Sequence, residues 1–301
     1  MTLDQLLSGS HSVQATIAIV NAHDEKTLHA VTKILKKTSA AFIFYNHQDV
    51  SELIRSFDLS QDVLSRITIH TFDNQEQALK HCLTALDQKE ADILMKGHIS
   101  TAHLLSAVLH HQSSQNIQKP FLNHVAVFEL PSYHKPLLLS DVALNIHPDI
   151  ETMKAMIANI VDFTTRLNYK QLNIALLSST ESVQPKLASS VQAAELASYY
   201  LAHPINEMIR VEGPMALDNI IDKKSAIQKG VQSNIAGNTD VIIVPQLDVG
   251  NALYKSFTYF GQARVASIVL GASYPIILTS RADTIDNKLN SVLFAMQILV
   301  N

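Results

Sequence analysis

Residues 16–46, TIAIVNAHDEKTLHAVTKILKKTSAAFIFYN, decide the fold class. Two apolar runs of strand length, TIAIVNA and AFIFYN, flank a helix running from Asp24 to about Lys37. A second helix and a third strand, RITIHTF (residues 66–72), follow. Strand and helix alternating at this rhythm build a parallel sheet with helices on its faces, an α/β fold. The rhythm continues. The D-x-x-E spacing of Asp73 to Glu76 resembles a capping box opening a helix that runs to about Gln88. Ala91–Met95 reads as the next strand, and Ser100 as the N-cap of the helix after Lys96-Gly97.

Farther along, HVAVFEL and KPLLLSDVAL are strand-like, with Pro131 between them. From Asp149 helical and strand signals alternate again, in IETMKAMIANIVDF, LNIALLSS and LASSVQAAELASYYLAH, so a second α/β unit forms. Thr239–Pro245 is a buried strand, and Val249–Phe260 a helix with Leu253, Phe257 and Phe260 spaced for burial. VASIVLGA and PIILTS are two more strands. Asp286 is a candidate cap for the last helix, whose inward positions are Leu289, Val292, Leu293 and Met296. No fixed-period repeat or low-complexity linker breaks the chain.

A chain of 301 residues calls for about two domains. With 47% hydrophobic and 17% charged residues and a mean hydropathy of +0.11 it has the composition of a packed globular protein. A net charge of −4 and a pI near 6.4 supply no overall positive field for nucleic acid or an anionic membrane. Its apolar runs fall short of the roughly 20 residues that span a bilayer, and MTLDQLLSGS has no basic secretory n-region. The expected location is the cytoplasm. The single cysteine, Cys82, lies on the apolar stripe formed by Ala78, Leu79, Leu83 and Leu86, where a thiol is structural rather than nucleophilic.

Ligands of open α/β sheets bind outside the carboxyl ends of the strands. There this sequence places Lys96-Gly97; Asp248, then Gly250-Asn251 with Tyr254 and Lys255; and Ser280-Arg281-Ala282-Asp283. A cation or amide donor near a helix N-terminus is suited to phosphate oxygens. Gly97 allows close backbone approach to a ligand. Arg281, beside a hydroxyl at the end of a buried strand, has few structural duties, whereas Asp283 and Asp286 also suit helix caps and Tyr254 suits packing. None of the 14 histidines has the H-x-x-x-H or H-E-x-x-H spacing of a helical metal site, so no metal is expected. The P-loop, dinucleotide and nucleophile-elbow motifs are missing too.

Five stretches in order, ADILMKGHISTAHLLSAVL, LLLSDVALNIHPD, VEGPMALDN, TDVIIVPQLDVGNALYKS and VLGASYPIILTSRADTIDNKLNS, resemble the phosphate acetyl/butyryltransferase family, most of all its butyryl branch. They run from about residue 91 to the C-terminus. The resemblance implies two α/β domains akin to isocitrate dehydrogenase, with mostly parallel sheets and a substrate cleft between them: residues 1–132 plus 267–301, and 133–266. It implies a homodimer or larger homo-oligomer. It makes Ser280 and Arg281 the acyl phosphate ligands, with Lys96 against the same phosphate and Gly97 beside it as a substrate-binding position. Asn251 and Lys255 would line the cleft, and Asp283 or Asp286 would take the thiol proton. The butyryl members often carry D-G-P where this chain has Glu212-Gly213-Pro214, and an apolar residue in place of His98.

The implied reaction moves a short acyl group between coenzyme A and inorganic phosphate, giving acyl phosphate. Coenzyme A is a substrate and no cofactor is needed. Lys96 and Arg281 would stabilise charge on the phosphate. A thiol of pKa near ~8.5 needs only modest help from a carboxylate base. With Cys82 buried, direct transfer in a ternary complex is the expected route. The rivals are a metal-dependent decarboxylating dehydrogenase on the same fold and a non-catalytic phosphometabolite-binding protein.

Overall fold

The computed structural model describes residues 2–114, 121–278 and 283–299. The chain divides into two compact units, one of Leu6–Phe121 with Ala266–Asn301 (the terminal unit) and one of Met1–Gln5 with Leu122–Val265 (the middle unit). In chain order the strands among the described residues are β1 (Thr16–Val20), β2 (Ala41–Asn46), β3 (Ile67–Thr71), β4 (Ile93–Lys96), β5 (Asn123–Glu129), β6 (Leu137–Ser140), β7 (Leu172–Leu177), β8 (Ile209–Met215), β9 (Val241–Ile243), β10 (Arg264–Leu270) and β11 (Ile276–Ile277).

In the terminal unit β3, β2, β1, β4 and β11 lie side by side and parallel, and β10 pairs antiparallel with β11. Ile17 of β1 sits in register with Phe42 on one side and Ile93 on the other. Parallel neighbours require crossovers. Helix Glu25–Lys37 carries the chain from β1 to β2, and Gln75–Asp87 from β3 to β4. Ile17–Val20 is wholly buried, which is why that run reads as continuous apolar residues rather than an alternation.

The middle unit has the order β5, β6, β9, β7, β8, with only β5 and β6 antiparallel. Its core gathers Phe128, Leu139, Ala175, Ile242, Val244 and Val265. The α/β class with mostly parallel sheets is thus the fold. Among the described residues no helix is long and apolar enough to cross a membrane.

Local signals held in part. Ser100 Oγ caps its helix through the His103 amide, at 3.1 Å. The helix after β3 is capped one residue later than the D-x-x-E spacing suggests. Asn74, extended at φ −152° and ψ 168°, accepts from the Gln77 amide, so Asp73 lies outside the cap. The last helix, Ile285–Gln297, is capped by Thr284, which leaves Asp286 in its first turn. Phe260 is 88% exposed, not buried. The helix runs Leu247–Tyr259 with Phe260 as its C-cap, and the aromatics that reach the core are the buried Tyr254 and the half-buried Phe257, both edge-on to Phe128.

Candidate active site

At the carboxyl end of the terminal unit's sheet, three strand ends are tied together by short-range hydrogen bonds. The side chain of Asn46, the last residue of β2, accepts from the Ala22 amide at 2.9 Å and donates to the Ala22 carbonyl at 2.8 Å. After β4, the Gly97 amide donates to Val20 O and the His98 amide to Asn21 O. Asn21 turns the chain at φ 54°, in the left-handed region that Asn tolerates. A Cβ on Gly97 would lie 2.4 Å from Val20 O. The glycine is therefore required by the chain's own backbone, and approach of a ligand is not what fixes it. The Lys96 ammonium, half-buried, donates to the carbonyls of Gly97 and Ile99, so it closes its own loop.

The same ties bring His23, His47 and His98 together. The His23 ring centroid is 4.8 Å from that of His98 and 5.4 Å from that of His47. Burial, then the neighbouring imidazoles of His98 and His47, pull the His23 pKa below its ordinary 6.5. Sequence spacing missed this group because its members follow different strands.

Ser280 and Arg281 lie outside the described residues. Beyond them, the two carboxylates left open by the sequence have different surroundings. Asp286, its side chain 70% exposed, pairs with the Lys33 ammonium at 2.6 Å. Asp283 is half-buried and faces Lys288. Lys288 is 3% exposed, and burial pulls its pKa below the ordinary lysine value, opposed by the charges of Asp283 and Asp24. A lysine so buried needs anionic company. Its signal in the sequence was its position four residues before Val292, on the inward stripe of the helix.

In the middle unit, Asp141 after β6 is 1% exposed and its carboxylate accepts from the amides of His124, Ala143 and Leu144 and from Asn145 Nδ2. Helix Leu247–Tyr259 packs on this loop through Gly250, and Asn251 donates to Val142 O at 3.4 Å. Asn251 is exposed and Lys255 half-buried, with its ammonium 5.4 Å from the Tyr254 ring centroid. The site residues thus fall into two sets, Lys96, Gly97, Asp283 and Asp286 in the terminal unit and Asn251 and Lys255 in the middle one.

The middle unit also holds a cavity of about 590 Å³ at the ends of β7 and β9, lined by His147, Ser178, Ser179, Ser189, Gln192 and Gln246 among others. Two helices begin at its wall, Ala188–Ala202 and Leu247–Tyr259, and neither has a side-chain cap. In these first turns the Leu247 amide is taken by the Ile146 carbonyl and the Ser190 amide by that of Leu187, so the polar groups the cavity offers are its serine, glutamine and histidine side chains. The strand-end reading passed over this cavity, although LNIALLSS displays its serines.

Residues 81–296 match the family model described as "Phosphate acetyl/butaryl transferase". The chain is 37% identical over 282 residues to "Probable phosphate butyryltransferase" of Bacillus subtilis, covering 93% of this chain and 92% of that one. It is 32% identical over 294 residues to "Phosphate butyryltransferase" of Clostridium beijerinckii, covering 97% and 96%. The crystal structure of a branched-chain phosphotransacylase from Enterococcus faecalis superposes with a TM-score of 0.81 at 30% identity, over 95% of this chain and 99% of that one. With a family model over more than two thirds of the chain and full-length matches of this kind, the chain belongs to the phosphate acetyl/butyryltransferase family and is a phosphate acyltransferase.

Proposed function

We propose that this enzyme transfers a short acyl group, butyryl or one of similar size, reversibly between coenzyme A and inorganic phosphate. The observation that carries the site reading is the half-buried Asp283 facing the buried Lys288, two residues beyond Arg281 in the chain. Arg281 and Ser280 hold the phosphoryl oxygens, a bidentate task for which a guanidinium is shaped. Lys96 and Gly97 belong to the same phosphate subsite, and Asn251 and Lys255 bind substrate from the middle unit. Asp283 takes the thiol proton. The sulfur attacks the acyl carbon, the carbon–oxygen bond to phosphate breaks, and the electron pair leaves on phosphate.

No covalent acyl-enzyme is formed and no cofactor or metal takes part; coenzyme A is a substrate. Part of it occupies the cavity beside Ser178 and Gln246, whose serine, glutamine and histidine side chains suit its polar groups. The enzyme works as a homodimer or larger homo-oligomer. Val191, Tyr199, Leu201 and Met208, apolar and exposed in the middle unit, support this. A thiol substrate also suits the reducing cytoplasm.

The test is a thiol assay. Acetyl-, propionyl-, butyryl- and branched acyl-coenzyme A are each supplied with phosphate, and release of free thiol is followed after dialysis against a strong chelator. The butyryl or branched substrate should give the highest kcat/KM, with a rate unchanged by the chelator. No thiol release from any of them would leave a binding protein in place of an enzyme.

A further inference from the structure

We propose that His23, His47 and His98 form a proton-linked anion site, which takes up a phosphate group together with a proton. This deepens the phosphate acyltransferase reading and rests on it for the identity of the anion. The argument begins with position. The three residues follow β1, β2 and β4, adjacent parallel strands, at the carboxyl edge where α/β sheets bind ligands. Local hydrogen bonds account for only part of the group, His47 Nδ1 meeting the Asn21 side chain and His23 the Asn21 backbone. His23 Nδ1 and Asn21 Nδ2 are buried with no hydrogen-bond partner, and Asn21 itself is 0% exposed. Unmet buried polar atoms are uncommon and point to a function or a missing ligand.

The tautomers follow from the hydrogen bonds. His47 Nδ1 lies 2.9 Å from Asn21 Oδ1, and where that amide oxygen accepts, the His47 proton sits on Nδ1 and Nε2 is left to meet a ligand. His98 is exposed and His47 half-buried, so the cluster opens to solvent at these rings.

Burial, then the imidazoles of His98 and His47 at 4.8 and 5.4 Å, oppose the charging of His23. Asp24, next in the chain, acts the other way on His23, and Asp24 in turn faces Lys288, itself close to Lys26. His23 is therefore held towards its neutral form. A dianion beside it supplies the attraction that makes an imidazolium favourable. One proton then enters with the ligand, onto a ring nitrogen, and leaves with it.

The test is isothermal titration calorimetry with sulfate on the full chain, at pH 7 in two buffers of different ionisation enthalpy. Sulfate has no proton to exchange near neutrality, so proton uptake belongs to the protein. Wild type should take up about half a proton or more per sulfate, and affinity should rise about tenfold from pH 8 to pH 6. His98→Asn, at an exposed position that folding does not depend on, should lose most of that pH dependence, as should His23→Asn. Competition with sulfate by coenzyme A that vanishes with 3′-dephospho-coenzyme A assigns the anion to the coenzyme; competition by inorganic phosphate alone assigns it to the free ion. Both outcomes uphold the site. Sulfate binding without proton exchange, binding unaltered in both variants, or a cluster that takes Zn²⁺ and no anion would overturn it. Thiol release is scored separately: an inactive wild type that still binds sulfate with proton uptake defeats the acyltransferase reading and leaves the site standing.

Discussion

Gly250 lies against the main chain of Asp141 so closely that a Cβ on it would sit 2.1 Å from the Asp141 carbonyl oxygen. Helix Leu247–Tyr259, which carries Asn251 and Lys255, is seated on the loop after β6 by this contact. Gly250→Ala therefore forces the helix or the loop to move. We expect a loss of about 1–3 kcal/mol, read as a shift in the midpoint of urea unfolding, with KM for the acyl-coenzyme A substrate raised as well. An unchanged midpoint would show that the loop yields freely.

Arg281, outside the described residues, has its role by family resemblance. Arg281→Ala should lower kcat/KM for acyl phosphate by about 100-fold or more, as loss of one preorganised donor to a developing anion does. Arg281→Lys keeps the charge without the fork and should fall between. Coenzyme A affinity should change little in either. Initial rates over a matrix of both substrates separate these effects.

The surroundings of the two carboxylates make them unequal. Asp286 is largely exposed and committed to Lys33, so Asp286→Asn should keep turnover within about threefold and cost little stability, as exposed ion pairs do. Asp283 faces Lys288 at the start of the same helix. Asp283→Asn should lower kcat by about 100-fold, in the range typical of a lost general base, with KM for acyl phosphate little changed. Equal losses in the two variants would contradict the assignment.

Cys82 is wholly buried, and burial pushes its thiol pKa well up. The native protein should leave a thiol-reactive dye uncoloured until denatured. Cys82→Ala should retain nearly full turnover while losing about 1 kcal/mol of stability. An acyl group trapped on Cys82 would end the direct-transfer mechanism.

Stability should also depend on pH through His23. Its folded pKa lies below 6.5, chiefly through burial, so as pH falls through 6.5 the unfolded chain binds the proton first. Stability is then lost as pH drops from 6.5 towards the folded value, and is fully present above 6.5. His23→Asn should flatten that part of the curve of urea midpoint against pH. An identical slope in the variant would place the acid sensitivity elsewhere.

The sequence by itself determined the class of the fold, because buried parallel strands must be continuously apolar and TIAIV, ILM and LNIALL carry that requirement in their composition. It also determined the buried state of Cys82 and the inward face of the last helix, both local consequences of helical period. Tertiary structure decided what depends on groups distant in the chain. Lys33 meets Asp286 across some 250 residues, and that pairing separates two carboxylates that spacing left equivalent. Gly97 is fixed by Val20 from another strand, and His23, His47 and His98 converge only because β1, β2 and β4 are neighbours. Periodicity reports which face of an element is buried; which elements meet is set by sheet order, and no local pattern encodes it.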